Sequence, residues 1–547
     1  MRLHWVLGLL SLIVAFNGMA FMRQSAPAPN ADPVTTSERD ANPPPGPDRF
    51  TVLTVEYQAY EWQMATWKYQ KPVCTLIVDH EGVPVPGEVY RDCGEDIYSK
   101  WIVQAPCVAT NKKKCTGYYI SQTDSYLEEK KVPLDLEPAS AWISLEGCEP
   151  VASVSTNVCE DRPVLVIRGH EPLQDESITR IEGTYDGNPF DCAGDICKFQ
   201  IAETGEEGIP VQFWSYSSYG DSSEIFNAQV RVRKVDEGDP DQLYWYADVL
   251  SSQWWGPSVA ACADLWNVFP PVGGTPDWLS TPKQSEDLSS DIPYTYLSAN
   301  LIQQGIVDAS ACADGGLDPG GGVNQCGLEA ARPAVVEWQN QFDDLILSSA
   351  ENAAVPARLL KNLFARESQF WPGIYAGAED VGLGQLTENG ADTTLLWNEW
   401  FYDQFCPMVY SEESCGENYM SLDSEQQAEL RRMLVASVNA TCESCPLKID
   451  LARAEFSIAV FAHTMIANCK QAGQVVENYS GKAPGTVASY EDLWKFTLVN
   501  YNAGGSCLAE GITHALGENL PLTWENVSPY LTGACSGAVD YVEDISQ

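Results

Sequence analysis

Partway along the chain the spacing of apolar residues changes from every second position to every third or fourth, which restricts the molecule to a sheet-forming half followed by a helical one. Between about residues 50 and 235 the apolar stretches are short and alternating: Thr51-Val52-Leu53-Thr54-Val55, Val164-Leu165-Val166-Ile167 and Val230-Arg231-Val232-Arg233, bounded by Gly, Asp and Asn. Side chains that alternate in this way line the faces of pleated strands. From Pro333 onward, Val335, Trp338, Phe342, Leu345 and Ile346 fall on one helical face, and Phe456, Ala459, Val460, His463 and Ile466 repeat the pattern. Ala452 to Cys469 is apolar on most sides, as suits a central helix. The fold class read from these periods is multidomain, with N-terminal all-β sandwich modules and a C-terminal α-rich domain.

At 547 residues the chain exceeds one ordinary domain. It opens on Met1-Arg2-Leu3-His4, a short apolar run from Trp5 to Phe16, and Asn17-Gly18-Met19-Ala20, the layout of a secretory signal placed at residues 1–22. The apolar run falls short of the roughly 20 residues that cross a bilayer, so an uncleaved anchor is the lesser alternative. Residues 23–49, rich in Pro, Ala and Ser, cannot bury enough surface to fold and read as a tether. The β-rich half divides into modules at 50–140 and 141–235. Residues 236–330 mix Tyr244-Trp245-Tyr246 and Trp254-Trp255 with Pro/Gly-rich stretches and read as a connector. Its aromatics fit packing of a small core better than sugar stacking. The helical domain occupies 331–547.

Eighteen cysteines in an exported chain point to disulfides, and they divide into eight before residue 200 and ten from Cys262 onward, so each half is able to close its own bridges. Cys442 and Cys445 form the one C-x2-C pair, without a second at zinc-site spacing, and the expectation is no metal. A net charge of −44 argues against nucleic acid as a partner, because phosphate binding needs a basic face. It favours solubility instead.

The chemistry-bearing segment runs from Val355 to Ser368, where Pro356 suits a first helical turn and Leu360, Leu363 and Phe364 make an apolar stripe. Glu367 falls on that stripe, four residues after Leu363 and three after Phe364. Burial disfavours the ionised form and raises the pKa, as a general acid working near neutral pH requires. Taken alone, such a glutamate is more often a helix-end or Arg-paired residue than a catalyst.

Three segments in order change that balance: Glu367-Ser368-Gln369-Phe370-Trp371-Pro372, then Gly382-Leu383-Gly384-Gln385-Leu386, then Asn500-Tyr501-Asn502-Ala503-Gly504. Together they resemble the soluble lytic transglycosylase family, which carries E-S-x-F-x-P at the end of its catalytic helix, G-L-M-Q in the next loop and A-Y-N-A-G further on. With Leu359-Leu360 before and Tyr541-Val542 after, the resemblance covers roughly residues 333–545. It implies a lysozyme-like fold and an exported enzyme that cleaves peptidoglycan glycan strands between N-acetylmuramic acid and N-acetylglucosamine without a cofactor. Position by position it implies Glu367 as acid and then base, Tyr501 hydrogen-bonded to or orienting its carboxyl, and Ser368, Gly384, Gln385 and Asn502 at the glycan cleft. Two positions depart from the family: Gly384 stands where Met is usual, read as removing a bulky wall of the cleft, and Asn500 where Ala is usual.

The implied mechanism needs one carboxylate, because the substrate's N-acetyl group stabilises the cation and its C6 hydroxyl closes a 1,6-anhydro ring. A hydrolytic, lysozyme-type outcome needs a second carboxylate about 5 to 9.5 Å away, for which Glu379, Asp380, Glu388 and Asp392 are candidates. A third alternative is a glycan-binding surface protein that no longer cuts. In the β half, Val211 to Tyr216, the turn Gly220-Asp221-Ser222-Ser223 and Phe226 to Val232 resemble the closing hairpin of a bacterial immunoglobulin-like sandwich. His463 reads as a packed core residue, and the triplets at Asn439, Asn478 and Asn526 matter only in a glycosylating host.

Overall fold

A computed structural model describes residues 49–103, 107, 111–236, 243–258, 260–271, 274–373, 380–445 and 447–547. The expected signal and all of the tether but Arg49 lie outside the described residues. Arg49 is fixed: its guanidinium donates to both Glu171 oxygens at 2.9 and 2.8 Å and to Asp221 at 2.5 and 2.7 Å.

Strands β1 (Phe50–Thr66), β2 (Pro72–Val78) and β3 (Tyr118–Asp135) form an antiparallel sheet in the order β2-β1-β3. Helices α1 (Pro86–Cys93) and α2 (Glu95–Ile102) follow β2, and Val89 joins Trp62, Met64, Leu76 and Val78 in a small core. The Cys74–Cys93 disulfide ties β2 to the end of α1, the reinforcement a core of this size calls for.

The second sheet comprises β4 (Ser140–Val151), β5 (Thr156–His170), β6 (Ile178–Tyr185), β7 (Asn188–Ala193), β8 (Ile196–Gln200), β9 (Ile209–Ser217), β10 (Phe226–Asp236) and β11 (Leu243–Leu250). Its order is β4-β5-β11-β10-β9-β6-β7, with β8 paired to β5. β5 pairs β4 on one edge and, on the other, β11 at residues 157–159 and β8 at 164–168, while β10 lies between β9, paired at 226–230, and β11, paired at 229–236. The Ser215 hydroxyl of β9 donates to the Ser140 carbonyl of β4 at 2.9 Å. Ile143, Leu165, Ile167, Ile181, Phe213 and Val230 fill the interior. The sheet therefore runs to Leu250, past the boundary expected at 235, because residues 243–250 pair with β10 and residues 245–247 also with β5.

The remainder is helical: α3 (Thr295–Gln303), α4 (Gln325–Asn340), α5 (Asp343–Ala353), α6 (Ala357–Ser368), α7 (Glu388–Trp397), α8 (Glu399–Val409), α9 (Ser424–Val438), α10 (Leu451–Ser480), α11 (Tyr490–Ala503), α12 (Gly505–Gly517) and α13 (Gly537–Ile545). The 30-residue α10 is the axis, begun by the Asp450 side chain accepting from the Arg453 amide and ended by left-handed Gly481. One continuous core spans Leu250 to Ile545. The stretch read as a connector thus packs into this core from about residue 260 onward. Trp266 is fully buried against Trp494 and donates to the Cys469 carbonyl at 3.0 Å, beside the Cys262–Cys469 disulfide.

All eighteen cysteines pair in nine disulfides, four within residues 74–197 and five within 262–535. Such a density fits an extracellular protein in an oxidising compartment. Among the described residues no helix is long and apolar enough to cross a membrane.

Candidate active site

α6 buries Leu359, Leu360, Leu363 and Phe364, and the same face carries Glu367 to the helix end. The Tyr541 hydroxyl of α13 donates to Glu367 Oε1 at 2.5 Å. Part of the Glu367 side chain meets solvent, but protein packed around the carboxyl pushes its pKa from 4.5 up to about 7. The Tyr541 bond and the Arg366 charge pull it down, and Asp380 adds to the rise. A carboxyl so placed is close to half protonated at neutral pH, able to give a proton and to take one back.

Directly beyond Glu367 the helix stops abruptly. Gln369 and Phe370 both take left-handed backbone, with φ of 48° and 64°. Non-glycine residues reach that region at a cost of roughly 1–2 kcal/mol each, so surrounding contacts must hold them. Trp338 Nε1 donates to the Phe370 carbonyl at 2.9 Å, and Gln369 Oε1 accepts from the Tyr296 and Leu297 amides at 2.8 and 3.4 Å.

The loop over this turn closes on itself through the bridge between Val381 and Leu386. Gly382 takes a φ of 78°, and a Cβ there would meet the Val438 carbonyl at 2.8 Å. Gln385, also left-handed, donates to the Gly382 carbonyl at 2.6 Å, while its buried Oε1 has no partner among the described residues. An unpaired buried acceptor costs about 1–3 kcal/mol and offers a place for a donor from outside.

Other residues fall differently from expectation. The tyrosine on Glu367 is Tyr541, whereas the Tyr501 hydroxyl donates to the Gly384 carbonyl at 2.5 Å. Tyr501 lies near enough for the Glu367 charge to act on it, and burial first, then that charge, raises its pKa well above normal. It therefore stays a donor and fixes the loop. Ser368 is 1% exposed, its hydroxyl donating to the Leu383 carbonyl at 2.7 Å, so it staples helix to loop and has no open face for a glycan. Gly384 opens no wall, because a Cβ there would meet the Phe461 ring at 2.5 Å and the aromatic fills the space. Asn502 is exposed at the end of α11. Asn500 is buried, donating to Asn468 and Gln471, both at 2.8 Å.

Of the four candidate second carboxylates, Glu379 lies outside the described residues. Asp392 accepts from Tyr419 at 2.7 Å and Arg431 at 2.9 Å, and Glu388 is exposed in the first turn of α7. Of these carboxylates, Asp380 acts on Glu367 through its charge. His463 is partly buried and stacks on the half-exposed Trp400 with centroids 4.8 Å apart, and burial lowers its pKa to about 4, which keeps it neutral.

Sequence reasoning missed Gln369, Phe461 and the Tyr541 contact. Tyr541 does carry a signal: Ala538, Tyr541, Val542 and Ile545 form a buried stripe in which a hydroxyl needs a partner. No protein-family model matches the chain, and no curated protein matches it.

Proposed function

We propose that residues 331–547, completed by the segment from about 260, form the lysozyme-like domain of an exported lytic transglycosylase acting on peptidoglycan. The observation that carries this reading is the Glu367 carboxyl, packed to a pKa of about 7 under Tyr541, at the turn that abuts the Gly382-Leu383-Gly384-Gln385 loop. Glu367 protonates the glycosidic oxygen as the C1–O bond breaks. The substrate's N-acetyl oxygen bonds to C1, and the C6 hydroxyl then displaces it while returning its proton to the Glu367 carboxylate. A pKa close to neutral suits the carboxyl to both transfers, and no protein nucleophile is consumed.

In this reading Gln385 and Asn502 meet the glycan, and Tyr501, Ser368 and Gly384 shape the loop that presents them. The eight-stranded unit is proposed as an immunoglobulin-like sandwich that spaces the domain from the wall or binds it. Digestion of purified sacculi tests the reaction: 1,6-anhydro ends from the wild type and none from Glu367→Gln are expected. Intact glycan from the wild type sinks it.

One observation favours a second reading. Asp380 lies near enough for its charge to raise the Glu367 pKa, and a second carboxylate is what lysozyme-type hydrolysis uses. Products with water-derived reducing ends, abolished by Asp380→Asn, select it.

A further inference from the structure

Gln369 stands two residues beyond the acid, and its side chain does a task normally done from within a helix. The N-cap of α3, Tyr294, offers no side-chain acceptor, and the amides it leaves open, Tyr296 and Leu297, donate to Gln369 Oε1 at 2.8 and 3.4 Å. The cap thus comes from 73 residues further along the chain. The left-handed pair is closed locally by the Gln369 and Phe370 amides donating to the Ala365 and Phe364 carbonyls at 3.2 and 3.3 Å, and is anchored from outside by α3 through the Gln369 side chain and, at Phe370, by Trp338 of α4 and the Tyr294 ring, 5.8 Å away. Losing the α3 anchor leaves two strained residues on their local bonds alone, directly after Glu367.

We propose that Gln369 is a positioning residue for Glu367, and that α3, from the stretch read as a connector, belongs to the catalytic unit through it. This rests on the reading of Glu367 as the acid.

The test uses the full chain with Gln369→Met, which keeps length but loses the acceptor, and Gln369→Glu, which keeps an acceptor beside the α3 N-terminus. Two quantities are read: kcat and KM on peptidoglycan, and the Glu367 titration by carboxyl 13C NMR, assigned by its loss in Glu367→Gln. Gln369→Met is expected to lower kcat roughly tenfold to a hundredfold with KM nearly unchanged. It should also move the Glu367 titration toward that of an ordinary glutamate, and Gln369→Glu should restore both. Should Gln369→Met fail to fold, Gln369→Ala, which likewise loses the acceptor and keeps the left-handed strain, is expected to move the titration the same way. A folded Gln369→Met or Gln369→Ala with wild-type titration overturns the proposal, as does a kcat loss that Gln369→Glu leaves unrepaired. A wild type that cuts no glycan overturns the acid assignment instead, and the titrations still decide whether Gln369 holds that carboxyl.

Discussion

Replacing Glu367 by Gln should stabilise the protein above neutral pH while abolishing the proposed chemistry. An ordinary glutamate titrates at 4.5, and burial raises this one to about 7. Between those values the folded protein keeps a proton that the unfolded chain has released, so stability falls as pH rises through the interval and stays reduced above it. A rise from 4.5 to about 7, at ~1.4 kcal/mol per tenfold change in proton affinity, sets a ceiling of about 3.5 kcal/mol on the loss. Partial solvent contact trims the expected figure to roughly 1–2 kcal/mol. Gln carries no charge to desolvate, and its Oε1 still accepts from Tyr541, so the variant recovers that amount. Calorimetry of both proteins should show the helical body melting roughly 2–6 °C higher in the variant near pH 8, with no difference near pH 4. A variant no more stable than wild type near pH 8 refutes the desolvated carboxyl, and equal gains at both pH values refute the proton linkage.

Three further outcomes follow from other contacts. Tyr541→Phe removes a donor that pulls the Glu367 pKa down, so the alkaline limb of the pH–activity profile should move upward. A downward move contradicts the assigned bond. Gly384→Met drives a side chain into the Phe461 ring and should cost about 1–3 kcal/mol in denaturant unfolding, relieved by adding Phe461→Ala. Unchanged stability of the single variant would dismiss the packing account. Arg49→Ala strands Glu171 and Asp221, both nearly inaccessible, and should destabilise the eight-stranded unit by roughly 3–5 kcal/mol. For Glu171, burial pushes the pKa up but is outweighed by bonds from Arg49, Ser217 and Leu173, leaving it at about 2. Stability held by Arg49 is therefore lost as pH falls from 4.5 toward 2, and circular dichroism of the wild type in acid should follow it.

Much was legible in particular residues. The alternation in Val230 to Arg233 and the three-to-four spacing in Leu360, Leu363 and Phe364 became buried strand and helix faces, because periodicity is a one-dimensional record of which side is apolar. The cysteine division at residue 200 matched the bridging, since each half folds around its own core. The stretch from 236 to 330 was not legible: β11 takes its place from cross-strand pairing, and Trp266 from a groove of α10 and α11 that lies some 200 residues away.

The sequence by itself determined a sheet half, a helical half, a bridge set within each, and a glutamate on an apolar stripe at a helix end. Only the tertiary structure decided which groups meet that glutamate's surroundings. Tyr541 rather than Tyr501 took the carboxyl, Phe461 filled the space over Gly384, Ser368 turned inward, and Gln369 capped a helix 73 residues earlier. The physical reason is distance along the chain: hydrogen bonds spanning 117 and 174 residues are set by how helices pack, and packing leaves no local period to read.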